Sequence, residues 1–260
     1  MSGNSKIEWT DATWSPVTGC TKISSGCAHC YAERMARRLA GRCGYPESPH
    51  HFDVALHPDR LDQPLRWRKP RMIFVCSMSD LFHDDVPEQF IFRVLKITRN
   101  APQHIYQILT KRPGRMCSVM REYYARLRTA YGRKAEEPQQ NLWLGTSVEN
   151  QVAADERIPL LLQTPAAIRF VSCEPLLGAI DLGMYLHHGI SWCIVGAESG
   201  PGARLMDENW VRRLVTQCKQ SQVPVFYKQK IVNGKKMSLP MLDGKQYVEF
   251  PPTIHRPNVR

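Results

Sequence analysis

The sequence predicts an α/β protein whose parallel strands form a partial or complete (β/α) barrel of about six to seven strands, similar in rhythm to a TIM barrel. Three observations carry that expectation. Apolar runs of strand length alternate with helical segments along most of the chain, as βαβ units on a parallel sheet require. The 260 residues suffice for one barrel-sized domain with a substantial core. Polar side chains gather directly after each strand-like run, where parallel barrels place their chemistry. A doubly wound open sheet is the alternative architecture.

The elements follow in order. A first strand is expected before Cys20, then a cysteine-rich loop, then a helix over 31–40 with Gly41 as its stop. Residues 52–56 alternate like a short strand, and 72–77 form a compact apolar strand. Asp85 as N-cap and Pro87 in the first turn open a helix to about residue 100. Strand 104–109 and helix 113–131 come next, then strand 141–145 and a helix over 151–163 that Pro159 kinks or ends. Strand 167–172 leads into an irregular stretch, 174–188. Strand 190–195, a Gly-rich turn over 196–202, a helix over 207–220 and strand 223–227 complete the series. Asn233-Gly234 and Asp243-Gly244 signal hairpin turns, ahead of a Pro-rich end expected to be mobile. The barrel is assigned to 1–232, and 233–260 to a hairpin and tail extending the same domain.

With 43% hydrophobic residues the chain is ordinary globular material, and no apolar run approaches the roughly 20 residues that span a bilayer. Nine cysteines without an apolar leader segment point to a reducing compartment, hence a cytoplasmic location without membrane association. The excess of 35 Lys and Arg over 24 Asp and Glu, net charge +11, suits a polyanionic partner such as nucleic acid.

The most informative motif is Cys20, Cys27 and Cys30, a C-x6-C-x2-C spacing with Tyr31 directly after, in a loop of small and polar residues. Three thiolates on an iron–sulfur cubane, which usually takes four, leave one iron open to a small molecule. Zinc is the competing reading. Cys27 and Cys30 make a half-site that Cys20, with Cys43, His29, His50 or His51, would complete. Spacing alone admits both. The chain has no second C-x2-C, however, and Cys76, Cys117, Cys173, Cys193 and Cys218 fall inside strand-like or helical runs, as core residues do. That context favours the open cluster.

Past the strands stand Ser77, Ser79, Asp80 and His83; Lys111 and Arg112; Ser147, Glu149 and Asn150; Glu174; Gly196 and Glu198; and Lys228. N-capping accounts for Asp80, Ser147 and Asp207. Lys111, Glu174 and Glu198 follow apolar runs closely and are expected to line a site. Residues 196–202 offer a further candidate, a backbone anion nest, although they match neither a P-loop nor a complete dinucleotide fingerprint.

The cysteine loop after a first strand, the helix behind it and the parallel barrel together resemble the radical S-adenosylmethionine (SAM) superfamily. Typical members carry C-x3-C-x2-C, so this loop is three residues longer. Residues 194–198, Ile-Val-Gly-Ala-Glu, are similar to a glycine-plus-acid motif that contacts SAM there. More closely, residues 9–20, 77–83 and 173–177 resemble an uncharacterised family of phage and prophage proteins, a likeness that covers nearly the whole chain but names no reaction. The nearest functional analogy within the superfamily is spore photoproduct lyase, a DNA-repair enzyme, at the level of fold alone.

The resemblance implies a [4Fe-4S] cluster on Cys20, Cys27 and Cys30, an electron donor for it, and SAM cleaved to a 5′-deoxyadenosyl radical. It implies Ser77, Ser79 and Asp80 at the SAM amino end, and Gly196, Glu198 and Ser147 or Asn150 toward the ribose. Lys111, Glu174 and Lys228 are left as catalytic candidates or as partners for carboxylate, phosphate or substrate. The expected function is a radical SAM-like iron–sulfur enzyme acting on nucleic acid, above all DNA, in lesion repair or base modification. A zinc-stabilised, non-catalytic nucleic-acid-binding protein is the alternative, and an enzyme on a small phosphorylated substrate a third.

Overall fold

The computed structural model describes residues 5–252. In chain order the elements are β1 (Ala12–Trp14), β2 (Val17–Thr18), α1 (Tyr31–Arg38), β3 (Ala55–Leu56), β4 (Met72–Val75), α2 (Glu88–Asn100), β5 (Ile105–Thr110), α3 (Pro113–Tyr131), β6 (Leu142–Ser147), α4 (Gln151–Leu162), β7 (Ile168–Cys173), α5 (Gly183–Leu186), β8 (Trp192–Gly196), α6 (Glu208–Gln220), β9 (Val225–Val232), β10 (Lys235–Ser238), β11 (Met241–Leu242) and β12 (Lys245–Gln246). No helix among the described residues is long and apolar enough to cross a membrane.

Eight strands form the main sheet in the order β1-β4-β5-β6-β7-β8-β9-β10. Every neighbouring pair is parallel except β9 and β10. The order advances in one direction, whereas a doubly wound sheet would reverse at a switch point. Singly wound order curls a sheet toward a barrel, and among the described residues this one stays open between β1 and β10. The architecture is a mixed α/β partial barrel flanked by helices.

Strand side chains alternate between faces, so each strand feeds two cores. Ile73, Val75, Tyr106, Ile108, Leu144, Val171, Cys193 and Val225 face outward against Ile91, Leu95, Met116, Ile158 and Leu214 of the helices. Met72, Phe74, Trp143, Phe170, Trp192, Ile194 and Phe226 fill the inner face together with Trp9, which enters from the segment before β1. Trp192 stands at the centre, with ring centroids of Trp9, Trp143, Phe170, Phe226 and Phe250 within 5.2–6.2 Å. Gly145 is obligatory in this layer. A Cβ there would lie 2.6 Å from the Phe170 ring.

Several expected elements differ in detail. The segment 52–56 keeps only β3, which pairs with β2 and not with the main sheet. The N-cap of α2 is Pro87, not Asp85: the Pro87 carbonyl accepts from Phe90 and Ile91, while Asp85 donates its backbone N–H to His83 Nδ1. Pro159 neither ends nor breaks α4, which continues to Leu162. Only the last turn forfeits a bond there, and buried Leu161 anchors it. The irregular stretch 174–188 contains α5. Both hairpin signals are borne out, with Asn233 and Gly234 turning β9 into β10, and Asp243 and Gly244 turning β11 into β12. The sheet thus gains an antiparallel strand beyond the expected count, because β10 extends it past β9. The Pro-rich end from 253 onward lies outside the described residues.

Candidate metal and cofactor site

The parallel strands end on one rim, and the cysteine loop after β2 covers it. Between them lies a cavity of about 360 Å³. Its floor is apolar, with Trp9, Phe74 and Leu109, and its walls carry the polar residues that follow the strands. Cys20, Cys27 and Cys30 all line it, each partly exposed and free. So do Ser77, Ser79, Asp80, Lys111, Ser147, Glu174, Glu198 and Lys228. Asn150 and Gly196 do not line it. The Asn150 side chain instead caps α4, accepting from the Ala153 N–H at 2.9 Å, and Gly196 packs under the Glu174 side chain.

The loop is held in place from four strand ends. After β4, His83 Nε2 meets Thr21 Oγ1 at 2.8 Å, and the Ser77 carbonyl accepts from the Tyr31 hydroxyl. After β5, Arg112 donates to Thr21 Oγ1 at 2.8 Å and to Cys20 Sγ at 3.7 Å. After β6, Glu149 accepts from the Gly26 N–H at 3.4 Å while ion-paired with buried Arg157 at 2.9 Å. A Cβ at Gly26 would lie 3.0 Å from the Glu149 carboxyl carbon, so the glycine permits this approach. After β8, Glu198 meets His29 Nδ1 at 2.9 Å and binds Arg204, which in turn donates to the Ser25 carbonyl at 2.9 Å.

These contacts revise how individual residues act. Asp80 is no N-cap. Its buried carboxylate accepts from Thr110 Oγ1, the Lys111 N–H and the Phe82 N–H, and faces Arg112 at 3.2 Å. The turn over 196–202 presents a carbonyl to a cation. Its Ser199 carbonyl accepts from Arg34 at 2.8 Å, and a Cβ at Gly200 would collide with that guanidinium at 2.0 Å. The sequence reading passed over Arg34, Arg204 and Arg157. Arg34 and Ser199 are 165 residues apart and Arg204 and Ser25 are 179, whereas Arg157 and Arg204 also meet carboxylates only eight and six residues away, Glu149 and Glu198.

The charges divide the cavity. Lys228 and Glu174 pair at 2.6 Å across β9 and the end of β7. Among the described residues the Lys111 ammonium makes no ion pair and stands near the cysteines. Burial opposes ionisation of Cys27, but Lys111 and hydrogen bonds from the Ile23–Ser24 backbone hold its thiol below the usual range. Burial and the neighbouring Asp80 push Cys20 up to about 11, against the pull of Arg112. Burial would raise Glu198, yet Arg204 and His29 hold it at about 2.

Cys76 also borders the cavity but is buried, and burial pushes its thiol up to about 12. Cys43 is exposed and does not line the cavity, and His50 is paired with Asp53. Among the described residues no group of three or more His, Cys, Asp or Glu is arranged to hold a single metal ion. Zn–S bonds of about 2.3 Å would require thiolates within about 4 Å of one another. A four-iron cubane takes each thiolate on a different iron and spans a wider set. Cys20, Cys27 and Cys30 border one cavity, where Arg112 donates to Cys20 Sγ and the Lys111 charge acts on Cys27.

The fold and site define a class: an α/β partial-barrel protein with a three-cysteine loop closing a cavity over the strand ends. Residues 4–251 match the family described as protein of unknown function (DUF5131), and the chain belongs to that family. No curated protein and no solved structure matches it.

Proposed function

We propose that this protein is a radical SAM-like iron–sulfur enzyme whose substrate is a nucleic acid, with DNA lesion repair or base modification as the reaction class. The observation that carries the reading is the convergence of Cys20, Cys27 and Cys30 on one cavity at the strand ends, where among the described residues the further cysteine is buried Cys76. When bound, a [4Fe-4S] cluster supplies one electron, drawn from an external donor, and an open iron at which SAM is cleaved to methionine and a 5′-deoxyadenosyl radical.

The chain's own residues do the remaining work. Cys20, Cys27 and Cys30 hold the cluster, and the four-sided clamp on their loop fixes the thiols before anything binds. Lys111, unpaired among the described residues, is the group suited to a carboxylate such as that of SAM. The pair of Lys228 and Glu174, each side chain less than one-fifth exposed, offers a donor and an acceptor on the opposite wall. The floor of Trp9, Phe74 and Leu109 keeps water from the base of the cavity. Ser77 and Ser79 stand by the cysteine loop, while Asp80 and Glu198 are engaged in holding it, so their role toward SAM is indirect. Support for a nucleic-acid substrate is the net charge of +11 and the exposed Arg37, Arg38 and Arg42 on and just beyond α1, whose first turn borders the cavity.

The test is anaerobic reconstitution of the full chain with iron and sulfide. The expected product is brown protein that, after chemical reduction, converts SAM to 5′-deoxyadenosine. A colourless protein that retains zinc and leaves SAM intact overturns the reading in favour of the zinc-stabilised binding protein.

A further inference from the structure

Arg112 opens α3 just beyond the end of β5. Its backbone N–H donates to Thr110 Oγ1 at 2.8 Å, and its side chain is only 8% exposed. The guanidinium meets three partners from two parts of the chain, the segment after β4 and the cysteine loop: Asp80 Oδ2 at 3.2 Å, Thr21 Oγ1 at 2.8 Å and Cys20 Sγ at 3.7 Å. Asp80 is fixed in turn by Thr110, Lys111 and Phe82. A planar fork with five N–H donors spans such a set, and an ammonium cannot. Nothing else described ties Cys20 Sγ to the barrel; its other hydrogen bond, to the Thr21 carbonyl, is local.

We propose that Arg112 is a positioning residue for Cys20. It aims the thiolate into the cavity and, through its charge and its N–H donor to sulfur, raises the reduction potential of the cluster held there. The proposal rests on the iron–sulfur reading of the cavity. Hydrogen bonds to the ligating sulfurs and nearby charge are established determinants of cluster potential. Partners behind metal ligands commonly govern affinity as strongly as the ligands' own geometry. Lys111, the adjacent cation, makes no hydrogen bond to Cys20 Sγ and does not substitute for this contact.

The experiment compares the full-length wild type with Arg112→Gln and Arg112→Lys, all reconstituted with iron and sulfide. Iron retention against a chelator and the midpoint potential are measured. Arg112→Gln is expected to lower iron affinity about 10- to 100-fold and to shift the potential negative. Arg112→Lys keeps a charge beside Asp80 but cannot reach all three partners, so it falls between. Unchanged potential and retention in both Arg112 variants would overturn the proposal while leaving the iron–sulfur reading intact. Lower iron retention with an unchanged potential would overturn it too, by showing a general structural role. Wild-type protein that takes up no iron overturns both readings together. Should Arg112→Gln fail to fold, the Arg112→Lys potential decides the question.

Discussion

His29 Nδ1 lies 2.9 Å from Glu198 Oε2, so the residue just before the third cysteine is tied to the end of β8. Glu198 also binds Arg204, and Arg204 holds the Ser25 carbonyl at 2.9 Å. One buried carboxylate thereby secures both sides of the C-x2-C turn.

That carboxylate makes the loop's anchorage depend on acidity. Glu198 sits at about 2 in the folded chain, below the ordinary glutamate value of about 4.3 in the unfolded one. The unfolded state therefore binds more protons between those values, and stability rises with pH across the window. The stabilisation is complete above about pH 4.3 and is lost as pH falls toward 2. Urea midpoints measured from pH 7 down to 2 should show this decline, and Glu198→Gln should be less stable at pH 7 with a flatter profile. Parallel profiles for the two proteins would remove Glu198 as the cause.

Single replacement of Cys20, Cys27 or Cys30 by Ser is expected to abolish the brown colour and most bound iron after reconstitution. Cys43→Ser and Cys117→Ser should load like the wild type, since neither residue lines the cavity. Iron and sulfide content per chain is the measurement. Equal loss in the Cys43 variant would mean that the site extends beyond the three cysteines.

On the inner face, Gly145→Ala places a methyl group 2.6 Å from the Phe170 ring. Overpacking of this kind costs about 1–3 kcal/mol. Trp192→Ala removes the residue around which the inner aromatic layer packs, with an expected loss of about 3–5 kcal/mol. Chemical denaturation of both variants checks the estimates. A neutral Gly145→Ala would show that Phe170 has room to move.

Nucleic-acid binding, if it follows from charge, must weaken steeply with salt. Each phosphate neutralised adds about 0.9 to the negative slope of log affinity against log salt. Fluorescence anisotropy with labelled single- and double-stranded DNA should give a slope of several units, reduced in an Arg37→Ala/Arg38→Ala variant. A flat salt response would favour a small phosphorylated substrate.

The alternation of strands and helices and both glycine hairpin turns were legible in the sequence, because each depends on neighbours a few residues apart. So was the trio of Cys20, Cys27 and Cys30, and the polar rim that includes Lys111, Glu174 and Lys228. The N-terminus of α2 was misread because Asp85 is a good capping residue by type, yet its N–H goes to His83. Asn150 was read toward the cavity, although its capping chemistry at α4 was equally visible. What no local pattern reveals is the clamp on the cysteine loop. Gly26 and Glu149 are 123 residues apart, Cys20 and Arg112 are 92, and His29 and Glu198 are 169. Sequence determined which side chains stand at the strand ends. Only the curling of the sheet, which carries distant strand ends onto one rim, decided which of them grip the loop and which remain free to face the cavity.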